Sequence, residues 1–95
     1  MNYIDKHGQP LDFEDWLKLH EDEDYCIVGR DEVGEGLGAV LVSTVWIGYA
    51  PNFETMVFSI RTGLNGDLPQ IKYDTLSEAQ AGHAAMVELQ RNERR

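Results

Sequence analysis

The chain holds a single cysteine, Cys26, which rules out an internal disulfide and suits a reducing compartment. At 95 residues it is long enough for one modest core that needs neither a disulfide nor a metal to hold it. Proline occurs only at Pro10, Pro51 and Pro69, each beside a turn signal. No apolar run approaches the roughly 18 residues of a membrane span, and MNYIDKHGQP lacks the apolar stretch of a signal peptide. The expected setting is therefore the cytoplasm, away from any membrane. Basic residues are scarce as well. Eight Lys and Arg stand against seventeen Asp and Glu, a net charge of -9, which argues against direct binding to nucleic acid, where Lys and Arg must displace counterions.

The acids are also unevenly placed. Residues 1–36 hold eleven acids against three bases, a net of -8, whereas residues 37–95 hold six against five. An acidic third of this kind keeps a chain soluble, and it can equally dock a basic partner. The candidate docking carboxylates are Asp12, Glu14, Asp15, Glu21, Asp22, Glu23, Asp24, Asp31, Glu32 and Glu35.

What the chain does have is Val40–Ile60, two runs rich in Val, Ile, Thr, Phe and Trp around Ala50-Pro51-Asn52, which predicts two adjacent antiparallel strands with Pro51 at position i+1 of their turn. In the first run Val40, Val42, Thr44 and Trp46 point one way and Leu41, Ser43, Val45 and Ile47 the other. In the second, Met56, Phe58 and Ile60 lie on one side and Phe53, Thr55 and Val57 on the other. Both faces are mostly apolar, so this hairpin should lie at the centre of the sheet, and each face needs a cover.

The flanking segments read in order. Tyr3 to Pro10 reads as a short strand or extended arm ending in a turn at Gly8 and Pro10. Asp12 is the N-cap of a helix whose Phe13, Trp16, Leu17 and His20 follow i, i+3, i+4, i+7 and should face inward. His20 to Asp24 lacks the D-x-D-x-D-G spacing of a calcium loop, so no metal is expected and the four acids should be solvated. Tyr25 to Gly29 reads as a short strand. Val33 to Gly38 reads as a flexible connection rather than a phosphate loop, because it feeds a strand and contains Glu35. A long turn from Arg61 to Pro69 leads to an edge strand over Gln70–Asp74. Thr75 and Glu78 then form a capping box for a last helix, with Leu76, Ala79, His83, Met86, Val87 and Gln90 on one side and Gly82 allowing close approach to the sheet. Arg91, Arg94 and Arg95 should fray at its end.

The pattern Tyr3-x-Asp5-x-x-Gly8-x-Pro10, Val42-Ser43-Thr44-Val45-Trp46-Ile47-Gly48, Phe53-Glu54-Thr55-Met56-Val57-Phe58 and Thr75-x-x-Glu78-Ala79-x-x-Gly82-His83 resembles a group of small uncharacterised phage and prophage proteins. The resemblance implies a phage accessory protein acting in a bacterial cytoplasm. It carries over no catalytic residues.

For chemistry, Cys26, Ser43 and Thr44 are the candidate nucleophiles, His83 the candidate base, and Glu54 or Asp74 the group to orient it. The structural reading of each is stronger. His83 should be a core histidine bonded to Thr44, Glu54 or Tyr73, and Cys26 a small buried hydrophobe in a strand. The expected fold is a small α+β domain with about four mostly antiparallel strands, divided as an acidic arm, helix and first strand over 1–36, a hairpin-based sheet over 39–74 and a helix over 75–91. A face left bare by the first helix should pair two copies of the chain. Two functions follow. One is a binding protein whose acidic third occupies a basic surface on a host protein, as a counter-defence inhibitor would. The other is a small enzyme or ligand-binding module with a pocket at Thr44, Trp46, Glu54 and His83. Neither requires a cofactor.

Overall fold

Val40–Ile60 forms the expected hairpin. In the computed structural model, which describes residues 2–94, β4 (Val40–Trp46) and β5 (Phe53–Ser59) pair antiparallel with Val42 opposite Val57 and Trp46 opposite Phe53. β3 (Ile27–Val33) adds to β4 and β6 (Gln70–Tyr73) adds to β5, giving a four-stranded antiparallel sheet in the order β3-β4-β5-β6. The loop after β4 is closed by the Ile47 N–H donating to Asn52 O at 2.7 Å. It contains a cis Ala50–Pro51 peptide, which the expected placement of Pro51 in the turn does not describe.

α3 (Leu76–Glu93) covers one face of this sheet. Its capping box is complete, with Thr75 Oγ1 accepting from the Glu78 N–H and Glu78 Oε1 from the Thr75 N–H. Ala79, His83, Met86, Val87 and Gln90 are buried, the stripe read from the sequence. Gly82 lets the helix close on β6, since a Cβ there would stand 2.3 Å from the Tyr73 ring. Arg94 does not fray. Its Nε donates to Gly38 O at 2.8 Å, tying the helix end to the connection before β4, whose Gly36–Gly38 forms a single 3-10 turn.

The amino-terminal segment caps one end of the sheet rather than a face. β1 (Tyr3–Ile4) pairs with β2 (Pro10–Leu11), so Pro10 opens a strand where a turn ending was expected. α1 (Phe13–Glu21) starts on Asp12, whose carboxylate accepts from the Asp15 N–H at 2.8 Å. Trp46 Nε1 donates to Ile4 O and Trp16 Nε1 to Ile47 O, so both elements are strapped to the end of the hairpin. The inward residues of α1 are Trp16 and Leu19. Phe13 and Leu17, expected inside, are 54% and 39% exposed, and His20 is exposed too. The stripe is real, but the helix presents it outward.

The acids after α1 are not merely solvated. Asp22 caps a second short helix, α2 (Glu23–Cys26), accepting from the Tyr25 N–H. Tyr25 and Cys26 are thus helical, and β3 begins only at Ile27. A bulge at Val28 then shifts its register, so that Ile27 lies opposite Val45 and Gly29 opposite Thr44.

Two apolar clusters fill the space under α3. One contains Val33, Val40, Val42, Val57, Met86 and Val87, and the other contains Trp46, Phe53 and Ala79 with Trp16, Tyr25 and Leu11 packed around them. Burying one such Val or Phe side chain contributes about 1.5–3 kcal/mol. Along the sheet the clusters are separated by one row, in which Gly29, Thr44 and Thr55 lie side by side under His83.

A buried polar rung and an exposed aromatic end

Thr44 and Thr55 are opposite one another in the register and both fully buried, with their hydroxyls in direct hydrogen-bond contact. Thr44 Oγ1 also lies 2.7 Å from His83 Nδ1, and His83 Nε2 lies 2.7 Å from Asp31 Oδ2. The proton directions follow from what each group can do. An ionised carboxylate only accepts, so Nε2 carries the hydrogen. In the neutral ring Nδ1 is then the acceptor, Thr44 donates to it, and Thr55 donates to Thr44. Every donor in the rung therefore has an acceptor, which is the condition for a buried polar group to stabilise a core rather than weaken it.

Gly29 makes the ring's position possible. A Cβ at that residue would stand 2.6 Å from His83 Cδ2 and 2.7 Å from Nε2, so the imidazole lies flat on bare backbone. The rung thereby joins β3, β4, β5 and α3.

A carboxylate, an imidazole and a hydroxyl in a row have the order of a nucleophilic triad, in which the carboxylate orients the base and the base activates the hydroxyl. Here the burial runs the wrong way for that chemistry. The Asp31 side chain is 52% exposed while the Thr44 hydroxyl is closed in the core. A nucleophile must meet its substrate, and of the three main depressions among the described residues none is lined by Thr44, Trp46 or His83. The arrangement fits a fastening better than a catalyst.

The residues expected to form a pocket are partly separated. Thr44, Trp46 and His83 share the α3 side of the sheet, but Glu54 lies opposite Val45 on the other side and cannot orient His83. Asp31 takes that position, and sequence reasoning had placed it among the docking acids. Ser43 also points away from α3, and Asp74 bonds through its backbone carbonyl to Asn52 Nδ2. Cys26 sits half-buried at the end of α2, not in a strand, with Sγ 3.5 Å from both Leu19 O and His20 O. Among the described residues no three His, Cys, Asp or Glu side chains converge as metal ligands would.

Burial pushes the Cys26 thiol up; Lys6 opposes the shift, while Asp22 and Glu23 add to it. Because the thiolate is the reactive form, iodoacetamide should label Cys26 more slowly at neutral pH than it labels a cysteine-containing peptide, with the pH–rate curve displaced to higher pH. A curve superimposable on the peptide's would show that the thiol is wet.

The ten candidate docking acids do not form one surface. Asp12, Glu14, Asp15, Glu21, Asp22, Glu23 and Asp24 gather on α1 and α2, whereas Asp31, Glu32 and Glu35 run along and past β3 toward the other end of the sheet. Among the described residues the ion pairs are His83–Asp31 and Arg91–Glu88, so the carboxylates of α1 and α2 are unpaired.

Beside these acids lies an aromatic patch that the sequence did not reveal. Trp16 has the rings of Tyr3, Phe13, His20 and Tyr49 within 4.7–6.1 Å of its own, and Tyr3 reaches Tyr49 at 6.4 Å. The signal was the Phe13-x-x-Trp16-Leu17-x-x-His20 spacing, which identifies a stripe without saying whether it faces the core. Comparison with known protein families, with curated proteins and with solved structures finds no match to this chain.

Proposed function

We propose that this chain is a protein-binding module that docks a basic surface through the α1–α2 end. The observation that carries this reading is the exposed Phe13–Leu17 stripe beside seven carboxylates that make no ion pair among the described residues. Aromatic rings next to carboxylates suit Arg and Lys side chains, whose charge pairs with the acids while the guanidinium or ammonium packs on a ring face. Phosphates would be repelled by the same acids, so the partner is a protein. The resemblance to phage and prophage proteins supports a host protein in a bacterial cytoplasm. A basic surface that otherwise holds nucleic acid would be masked by this end, as a counter-defence inhibitor acts.

The test uses bacterial lysate passed over the immobilised parent, a Phe13→Ala variant, and a variant with Glu21→Gln, Asp22→Asn, Glu23→Gln and Asp24→Asn. Asn at position 22 keeps the α2 cap. Basic proteins should be retained by the parent and lost from both variants. With the retained protein purified, the charge variant should associate about tenfold more slowly at low salt, and its on-rate should depend less on salt. Equal retention and an unchanged salt slope would reduce these acids to a solubilising surface.

A further inference from the structure

The sheet face turned away from α3 has no cover among the described residues. Ile27, Leu41, Val45, Met56 and Phe58 point that way and are only half-buried, and Ile60 beyond them is 44% exposed. α1 lies at the end of the sheet, against Trp46 and Ile47. An open depression of about 370 Å³ between Arg30, Glu32, Leu41, Phe58 and Ile60 keeps the surface concave.

The charges on this face are unlike those of the rest of the chain. Arg30 and Glu32 stand at the β3 edge, and Glu54 lies opposite Lys72 at the β6 edge, so two acids balance two bases in a chain of net charge -9. A basic partner would leave the Arg and Lys unmatched, and an acidic one the two Glu. A surface that is apolar in the middle and balanced at its edges suits a copy of itself.

The register makes this specific. On that face Arg30, Ser43 and Met56 form one row across the strands, and Glu32, Leu41 and Phe58 form the next. We infer that two copies of the chain pack these sheet faces together about a two-fold axis lying across the strands between the two rows. Rotation about that axis lays each row on the other. Arg30 meets Glu32 of the partner subunit and Glu32 meets the partner's Arg30, while Met56 meets the partner's Phe58 and Leu41 meets the partner's Ser43, each contact made twice. An isologous contact has this reciprocity, in which residue i touches j and j touches i. Two sheets then stack at about 10 Å, as in a β-sandwich, with the β3 edge closed by the reciprocal charge pairs. The footprint of four short strands is at the low end of stable interfaces, so association belongs in the micromolar range. The α1–α2 end stays free in this pair, and the inference does not depend on what that end binds.

Sedimentation equilibrium of the full chain, from low to high micromolar concentration, reads the result. The parent should approach the mass of two chains. Arg30→Glu and Glu32→Arg, each at an exposed site and each checked for an unchanged unfolding midpoint, should weaken association by about tenfold or more by setting like charges together. The exchange variant carrying both substitutions should recover the parent's association, because Glu at 30 then meets Arg at 32 of the partner subunit. A parent that stays at the mass of one chain overturns the inference. So do single reversals that associate like the parent, or an exchange variant as weak as the singles.

Discussion

Replacing His83 with alanine is expected to lower the unfolding free energy by about 3 kcal/mol, one of the largest effects available from one substitution in this chain. Two losses combine. The His83 side chain is 11% exposed and fills the row between the two apolar clusters, so its removal leaves a cavity. The Thr44 hydroxyl also loses its acceptor in a place water does not reach, and an unsatisfied buried donor costs about 1–3 kcal/mol. The Asp31 end of the rung behaves differently. Its side chain is 52% exposed and is rewetted when the contact is broken, so Asp31→Asn should cost less than about 1 kcal/mol. Urea unfolding of the two variants checks the order. If Asp31→Asn were the more damaging, the carboxylate would be doing more than closing the outer end of a hydrogen-bonded chain.

The second large effect belongs to a residue with no side chain. Gly29→Ala is expected to destabilise the protein by about 2–3 kcal/mol, although alanine ordinarily suits a strand no worse than glycine. The new Cβ would stand 2.6–2.8 Å from three atoms of the His83 ring. A flexible side chain end would swing aside, but this ring is held through both nitrogens, by Thr44 on one side and Asp31 on the other. Relief must come from the rung or from the spacing of α3 over β3. The unfolding midpoint of Gly29→Ala measures this, and a loss below about 0.5 kcal/mol would mean that the ring is free to move.

The parts of this fold that were legible in the sequence are those governed by local periodicity. Thr75 and Glu78 announced the start of α3, the i, i+3, i+4 spacing from Leu76 to Gln90 identified its buried side, and the Val40 and Phe53 runs announced the central hairpin. That His83 bonds a strand residue followed from the same reasoning, since a histidine inside an apolar stripe needs a polar neighbour on the strand beneath it, but the choice of Thr44 over Glu54 or Tyr73 did not. Asp31 was not legible, because it is 52 residues from His83 and the bulge at Val28 breaks the alternation that would have assigned its face. Gly29 was missed for a related reason: a glycine's role here is set by the ring above it, and nothing beside it in the chain records that ring. On α1, Trp16 belongs both to the outward stripe with Phe13 and Leu17 and to the inward pair with Leu19. The bond from Trp16 Nε1 to Ile47 O and the packing of Leu19 against the Trp46 cluster turn that side of the helix inward.

The central claim is that the imidazole of His83, lying flat on Gly29, fastens α3 to the sheet through a fully satisfied polar rung. A double-mutant cycle between Gly29→Ala and His83→Ala, read by urea unfolding, tests it most directly. With the ring gone, the alanine Cβ at position 29 enters vacated space and its cost should largely vanish. The double variant should then be more stable than the sum of the single losses implies, by about 1–3 kcal/mol. Losses that add to within about 0.5 kcal/mol would contradict the claim, since the two residues would then not be in contact.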